Sequence, residues 1–365
     1  MKILDRYILK QVFLATAFAV ALFIILWISP EILFRIIKQV VYGEISNTMA
    51  IKLFFLQIPE ILSKAIPVGL MIGSLFVFDR MSRDSELIII RGIGVNFFRL
   101  AIPVIVLSSI GILACHLANE YLVPYSTSYI RTLQNNFNQD HFVYVDKTET
   151  DKPSQIFIID KYNGKNFENM KILGFSLSVS NDNPLIKNIV TAKSAEWMND
   201  HWKLIDGMEY QIATDGVYKN IISFKERMIP TSDGSMKAYN LLIGSIKKAK
   251  EMSTPELQKY IALVKSVNMK EELRYMESKY FQRFSQPFSC VLFALCGLIL
   301  GYSKPREKRI LGFTIGVGLI FLYYLTLPFL DVLAQLGIIL PSIAAWIPNL
   351  VLFIAIISLI KIKRI

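Results

Sequence analysis

Apolar residues fall along this chain in two rhythms. Toward both ends they run in long blocks, and in the middle they alternate in short bursts. The blocks are Gln11–Pro30, Leu100–Asn119, Phe284–Ser303, Ile310–Leu330 and Val332–Ile360. A sixth, Ile51–Phe78, is broken only by Lys52, Glu60 and Lys64. A run of about eighteen or more apolar residues can cross a bilayer as a helix. Six spans are predicted: span 1 from Gln11 to about Phe34, then Ile51–Phe78, Phe97–Val123, Tyr280–Tyr302, Ile310–Leu330 and Pro341–Ile360. Met1–Lys10 reads as an amphipathic start lying on the membrane surface before the chain turns into span 1. No small-residue cleavage site follows the first block, and Pro30-Glu31 comes next, so a retained span is expected.

From about Asp140 to Leu242 the period drops to two, as in Gln155-Ile-Phe-Ile-Ile-Asp160 and Ile221-Ile-Ser-Phe-Lys225. Turn signals separate the bursts: Asn163-Gly164, Asn181-Asp182-Asn183-Pro184, Asn199-Asp200, Asp206-Gly207, Asp215-Gly216 and Asp233-Gly234. The pattern predicts an inserted all-β domain of about eight to ten strands, a sandwich, jelly roll or open barrel. Thr254–Ser278 reads as a helix, with Thr254 as its cap and Pro255 at its first position. The predicted organisation is therefore spans 1–3 over 1–123, the β domain with its connecting helix over 124–278, and spans 4–6 over 279–365.

Composition agrees with a membrane protein: 53% of the 365 residues are apolar and the mean hydropathy is +0.43. The net charge of +11 could suggest nucleic acid, but its distribution excludes that reading. Residues 124–278 hold 20 Lys+Arg against 19 Asp+Glu, so the surplus lies in the membrane part. Short-loop charge there fixes orientation. One side collects Lys2, Arg6, Lys10, Arg80, Arg83, Arg91, Arg99, the loop Lys304-Pro-Arg306-Glu-Lys308-Arg309, and Lys361, Lys363 and Arg364. Both termini are expected in the cytoplasm and the β domain outside it.

Nothing in the sequence points to an enzyme. His116, His141 and His201 make no metal or triad spacing with neighbouring acids or cysteines. No GxxxxGK[ST] phosphate loop occurs, so no nucleotide or other cofactor is expected on this chain. Cys115, Cys290 and Cys296 all fall in predicted spans and read as small buried apolar residues. Glu60/Lys64 and Glu31/Arg35 are four apart and can neutralise each other on one helix face. Arg35 and Lys38 share a face at the outer rim of span 1. They are either snorkelling side chains or a cationic rim for an anionic lipid head group. Gly69-x-x-x-Gly73, Gly297-x-x-x-Gly301 and Gly312-x-x-x-Gly316 permit close helix contact.

The segment between spans 2 and 3, Asp79 to Arg99, is a polar island with four arginines. Its middle, Asp84 to Gly92, reads as a two-turn helix capped by Asp84 or Ser85 and ended by Gly92 and Gly94. It is either an ordinary loop with basic anchors or a helix placed to take a push from a soluble partner.

The order of these parts resembles the LptF/LptG permease family. The matching residues are Leu4-Asp5-Arg6-Tyr7-Ile8, Pro59-Glu60 with Pro67, Ser85-Glu86-Leu87 followed by Gly92, Ala195-Glu-Trp197 with Trp202-Lys-Leu-Ile-Asp-Gly207, and Arg283-Phe-Ser-Gln-Pro287. The resemblance covers essentially the whole chain. It implies an inner-membrane subunit that exports lipopolysaccharide without catalysis of its own. It implies a periplasmic β-jellyroll, a second permease of the same type, a cytoplasmic LptB-like ATPase dimer and an LptC/LptA-like periplasmic jellyroll protein. Glu86 would be the main ATPase-coupling residue, with Arg83, Ser85, Leu87 and Arg91 beside it, and Arg35 and Lys38 would border the lipid cavity. The chain departs from the LptG pattern at Glu31, where that pattern has a lysine, and Leu33-Phe-Arg-Ile-Ile looks more like LptF. Two other readings stand beside this one: an envelope assembly scaffold, and a permease for another lipid or lipoprotein.

Overall fold

The computed structural model describes residues 3–27, 30–43, 45–133, 142–147, 152–162, 166–176, 185–198, 201–213, 216–229, 233–302 and 310–363. Lys2, His141, Arg364, the basic loop Lys304–Arg309 and the expected turns Asn163-Gly164, Asn181-Asp182-Asn183-Pro184 and Asn199-Asp200 lie outside them. The chain divides into two compact units, one of residues 1–127, 249–258 and 270–365, the other of residues 128–248 and 259–269. The stretch 124–278, expected as one domain, thus contributes to both.

The first unit holds α1 (Ile3–Trp27), α2 (Pro30–Val41), α3 (Asn47–Arg83), α4 (Glu86–Gly92) and α5 (Phe97–Leu117), which runs through a π-turn (Ala118–Leu122) into α6 (Val123–Leu133). Later in the chain it holds α9 (Lys270–Gly301), α10 (Ile310–Gln335) and α11 (Pro341–Lys363). The division between the units falls within α6, after Thr127, and within α8 (Thr254–Ser266), after Gln258. Six helical stretches among the described residues are long and apolar enough to cross a membrane: α1, α3, α5 with α6, α9, α10 and α11.

The first of these differs from the expected span. Ile3–Trp27 is one continuous helix, so the amphipathic start is its first turns and the chain does not bend before entering it. Leu4, Ile8 and Val12 recur at helical spacing and join the buried cluster, which leaves nothing at Lys10 to break the helix. Arg35 and Lys38 belong to α2, a separate helix that opens on Pro30, a residue suited to a first helical position.

α3 and α9 form the centre. Two thirds or more of their apolar windows are buried, 67% and 72%, against 22% for α1 and for α10. Small residues allow the approach. A side chain at Gly297 would meet the carbonyl of Met71, and one at Gly73 would meet Thr16 of α1. Cys115, Cys290 and Cys296 are buried and free, with 3.7 Å between the Sγ atoms of Cys115 and Cys290.

The second unit holds one antiparallel sheet of β1 (Phe142–Lys147), β2 (Pro153–Tyr162), β3 (Phe167–Ser176), β4 (Leu185–Met198), β5 (His201–Ile212) and β6 (Tyr218–Ile229), paired in sequence order, followed by α7 (Asp233–Ile246). Tyr144, Phe157, Ile172, Val190 and Glu209 stand opposite one another along one buried row. Phe167, Trp202 and Tyr239 of α7 pack edge to face beside it. The described strands are fewer and longer than the eight to ten expected. One reason is Asp206-Gly207, which is no turn. Both residues lie inside β5, where Asp206 takes φ +51°. Gly207 there leaves room for the Phe224 ring and the Thr191 carbonyl.

Candidate functional site

The polar island folds as a short helix braced from three sides. α3 ends at Arg83, and the chain reverses at Ser85, which takes φ +61°. The expected side-chain cap is not made: Ser85 forms no capping hydrogen bond, because its left-handed backbone serves the reversal instead. α4 then runs Glu86–Gly92, and the chain leaves through Gly94 at φ +88°.

Seven residues cannot hold a helix in water by themselves, so tertiary contacts must hold α4. Leu87 supplies the anchor: it is 2% exposed and belongs to the same buried cluster as Phe78, Met81 and Phe97. Arg91 hydrogen-bonds the Tyr302 hydroxyl at the end of α9 and lies 5.4 Å over the Tyr302 ring. Arg83 pairs with Asp79 one turn back at 3.8 Å. The Tyr7 hydroxyl of α1 donates to the Glu86 carboxylate, 3.2 and 3.1 Å from its two oxygens. What remains outside is a surface of Ile88, Ile89 and Ile93, each more than half exposed, flanked by Arg83 and Arg91. A buried anchor under an exposed apolar rim with mixed charges is a surface suited to a protein partner.

At the other end of α1, Arg35, Lys38, Gln39 and Tyr42 line a depression of about 560 Å³. Neither cation has an acidic partner among the described side chains; that of Glu31 lies outside them. Lys38 lies 5.6 Å over the Tyr42 ring. Leu33, Phe34, Ile37 and Val41 of the same helix are exposed. An amphipathic helix of this kind can hold its apolar residues in hydrocarbon and its cations at head-group level.

Three polar knots join residues that, Glu60/Lys64 apart, no sequence spacing brings together. Glu60 pairs with Lys64 at 3.4 Å, as the spacing predicts, and also with Lys250 at 2.7 Å, from the segment entering α8. Arg283 of α9 donates to the carbonyls of Ala249 and Met252 at 2.8 and 2.5 Å and to Thr254 Oγ1 at 3.0 Å. Glu120, in the π-turn, accepts from the Thr254 N–H and hydroxyl and lies 3.8 Å from Arg283. Thr254 is thus spent on Glu120, and Ser253 takes the capping position, with its N–H donating to Glu256 as in a capping box. A third knot gathers Ser278, Lys279 and Gln282 of α9 on the buried Asp331 of α10.

No curated protein matches the chain. The family model described as lipopolysaccharide export system permease LptF/LptG matches residues 6–362. The match takes in all six apolar helices, the β sheet and α4, and the chain belongs to that permease family.

Proposed function

We propose that α4 is the coupling helix through which a cytoplasmic ATPase dimer of the LptB type drives this chain to lift lipopolysaccharide out of the inner membrane. The observation that carries the reading is α4 itself, pinned by Leu87 and presenting Glu86, Ile88 and Ile89 between two long helices. The bias of short-loop Lys and Arg toward its side supports a cytoplasmic location, with both termini there and the sheet unit in the periplasm. Closure of the ATPase dimer on ATP moves α4, and with it α1 and α10 of a pair made with a second LptF/LptG-type permease. The cavity between them shrinks and the lipid passes toward a periplasmic LptC/LptA-like jellyroll. Arg35 and Lys38 hold the lipid phosphates by charge-assisted hydrogen bonds at the cavity rim. In the sheet unit, the edge strand β6 leaves Tyr218, Ile221, Ile222 and Met228 exposed. An apolar lane shields acyl chains at about 0.8 kcal/mol per buried CH2.

The test is charge reversal, Glu86→Lys, in the assembled complex reconstituted in lipid. Expression and membrane insertion should be retained and lipid release lost. Release at the unaltered rate would overturn the coupling role of α4.

A further inference from the structure

We propose that Asp5, Tyr7 and Gln11 are positioning residues that lock the start of α1 to the segment bearing the coupling helix, so that α4 and span 1 move as one body. The proposal rests on the reading of α4 given above. Three polar links carry it, each to a different element. Gln11 Oε1 accepts from Arg80 Nη2 at 2.5 Å, in the last turn of α3. The Tyr7 hydroxyl donates to Glu86 at the start of α4. Asp5 Oδ2 accepts from Arg99 Nη2 at 2.9 Å, in the first turn of α5.

Burial anchors this clamp at Asp5 and at the apolar residues between the links, while the Tyr7–Glu86 link lies at the surface. Asp5 is 7% exposed, and Ile8 and Val12, at 1% and 0%, belong to the same buried cluster as Leu87. A carboxylate held out of water needs its partner, so Asp5 and Arg99 cannot separate cheaply. The clamp lies within α1, one unbroken helix of 25 residues. At 1.5 Å per residue, the stretch from Tyr7 to Trp27 carries a displacement over about 30 Å. Its far end, Trp27, lies 6.1 Å from the Tyr324 ring of α10 and is followed by the helix with Arg35 and Lys38. A push on Glu86 therefore has a rigid route to the lipid-facing rim along α1, which packs on Gly69 and Gly73 of α3. It also gives the Leu4-Asp5-Arg6-Tyr7-Ile8 stretch a mechanical role.

The experiment uses the complete complex with its ATPase in lipid vesicles. It measures ATPase retention and lipid released per ATP hydrolysed. Tyr7→Phe keeps the ring and removes only the donor. It should leave the ATPase bound and lower release per ATP by about tenfold, the worth of one hydrogen bond to a charged group. Asp5→Arg and Arg99→Asp should each uncouple in the same way, and the double exchange should restore release. Unchanged release per ATP in Tyr7→Phe would overturn the proposal, as would a double exchange no better than either single change. Failure of the parent reading looks different: Glu86→Lys would then release lipid normally.

Discussion

Arg283 shows what one side chain must satisfy to keep a charge inside an apolar bundle. Its planar fork meets two carbonyls and a hydroxyl, and Glu120 balances the charge. Lysine cannot copy this geometry, since it offers a point charge instead of a fork. Arg283→Met should lower the thermal unfolding temperature in detergent more than Arg283→Lys does. It removes the cation that balances Glu120, and breaking a buried pair costs roughly 3 kcal/mol. Equal melting of both variants and the unaltered protein would show that the knot is not structural. Ser85 makes the opposite case. Its left-handed backbone costs about 1 kcal/mol for a non-glycine residue. Ser85→Gly should therefore be neutral to stabilising and keep the ATPase bound in pull-down, which separates a turn residue from a contact residue. At this scale the sequence was legible where partners are near in number. Glu60/Lys64 follows from helical spacing. Glu120 with Thr254, 134 residues apart, and Tyr7 with Glu86, 79 apart, do not, because no local period brings them together.

Glu209 joins the residue to the element. It stands in the buried row of the sheet, where an unpaired carboxylate would be costly, and Arg227 of β6 and Asn188 of β4 compensate it. The hydrogen bond from Arg227 holds its carboxyl below the ordinary 4.5, outweighing the opposing effect of burial. A carboxylate with a depressed folded pKa adds stability that is present above its unfolded pKa and lost as pH falls through the folded one. The sheet of the full chain should therefore loosen as pH drops below about 4.5, read by fluorescence of the buried Trp202. Glu209→Gln should be less stable at neutral pH and show a flatter acid response. An acid transition identical to that of the unaltered protein would sink this account. The strands themselves were legible from their period of two and the spans from their length. Boundaries were not, for nameable reasons. Asp206-Gly207 carries the composition of a turn but answers to the packing of Phe224 across β6. The expected helix Thr254–Ser278 breaks after Ser266, where Asn268 takes φ +59°, and α9 resumes at Lys270. Asparagine tolerates that conformation without the glycine a reader looks for.

For the whole molecule, the six spans and the inserted sheet follow from hydropathy and period. Which spans lie at the centre does not, because outside a few polar positions such as Glu60, Lys64, Arg283 and Asp331 the spans are apolar all round. The structure separates them: α3 and α9 are mostly enclosed, while α1 and α10 are mostly bare and adjoin each other through Trp27 and Tyr324. The pairing proposed above needs such a face. If α1 and α10 of one permease meet those of the other, residues on this face should come within disulfide reach across the pair. Phe18, 72% exposed on α1, and Phe321, 68% exposed on α10, are suitable positions. In a background with Cys115, Cys290 and Cys296 replaced, Phe18→Cys or Phe321→Cys here, combined with single cysteines along the facing helices of the second permease, should give an oxidised cross-linked pair on denaturing gels. Cysteines on the enclosed face of α9, at Phe293 for example, should give none. Adding nucleotide to the assembled complex should shift which outward-facing α1 and α10 positions cross-link and leave an intramolecular α3–α9 pair unchanged, because Gly297 packs α9 on the Met71 carbonyl of α3 while the outer faces of α1 and α10 are bare. A nucleotide-dependent change confined to the α3–α9 pair would place the moving parts at the centre and refute this division of the bundle.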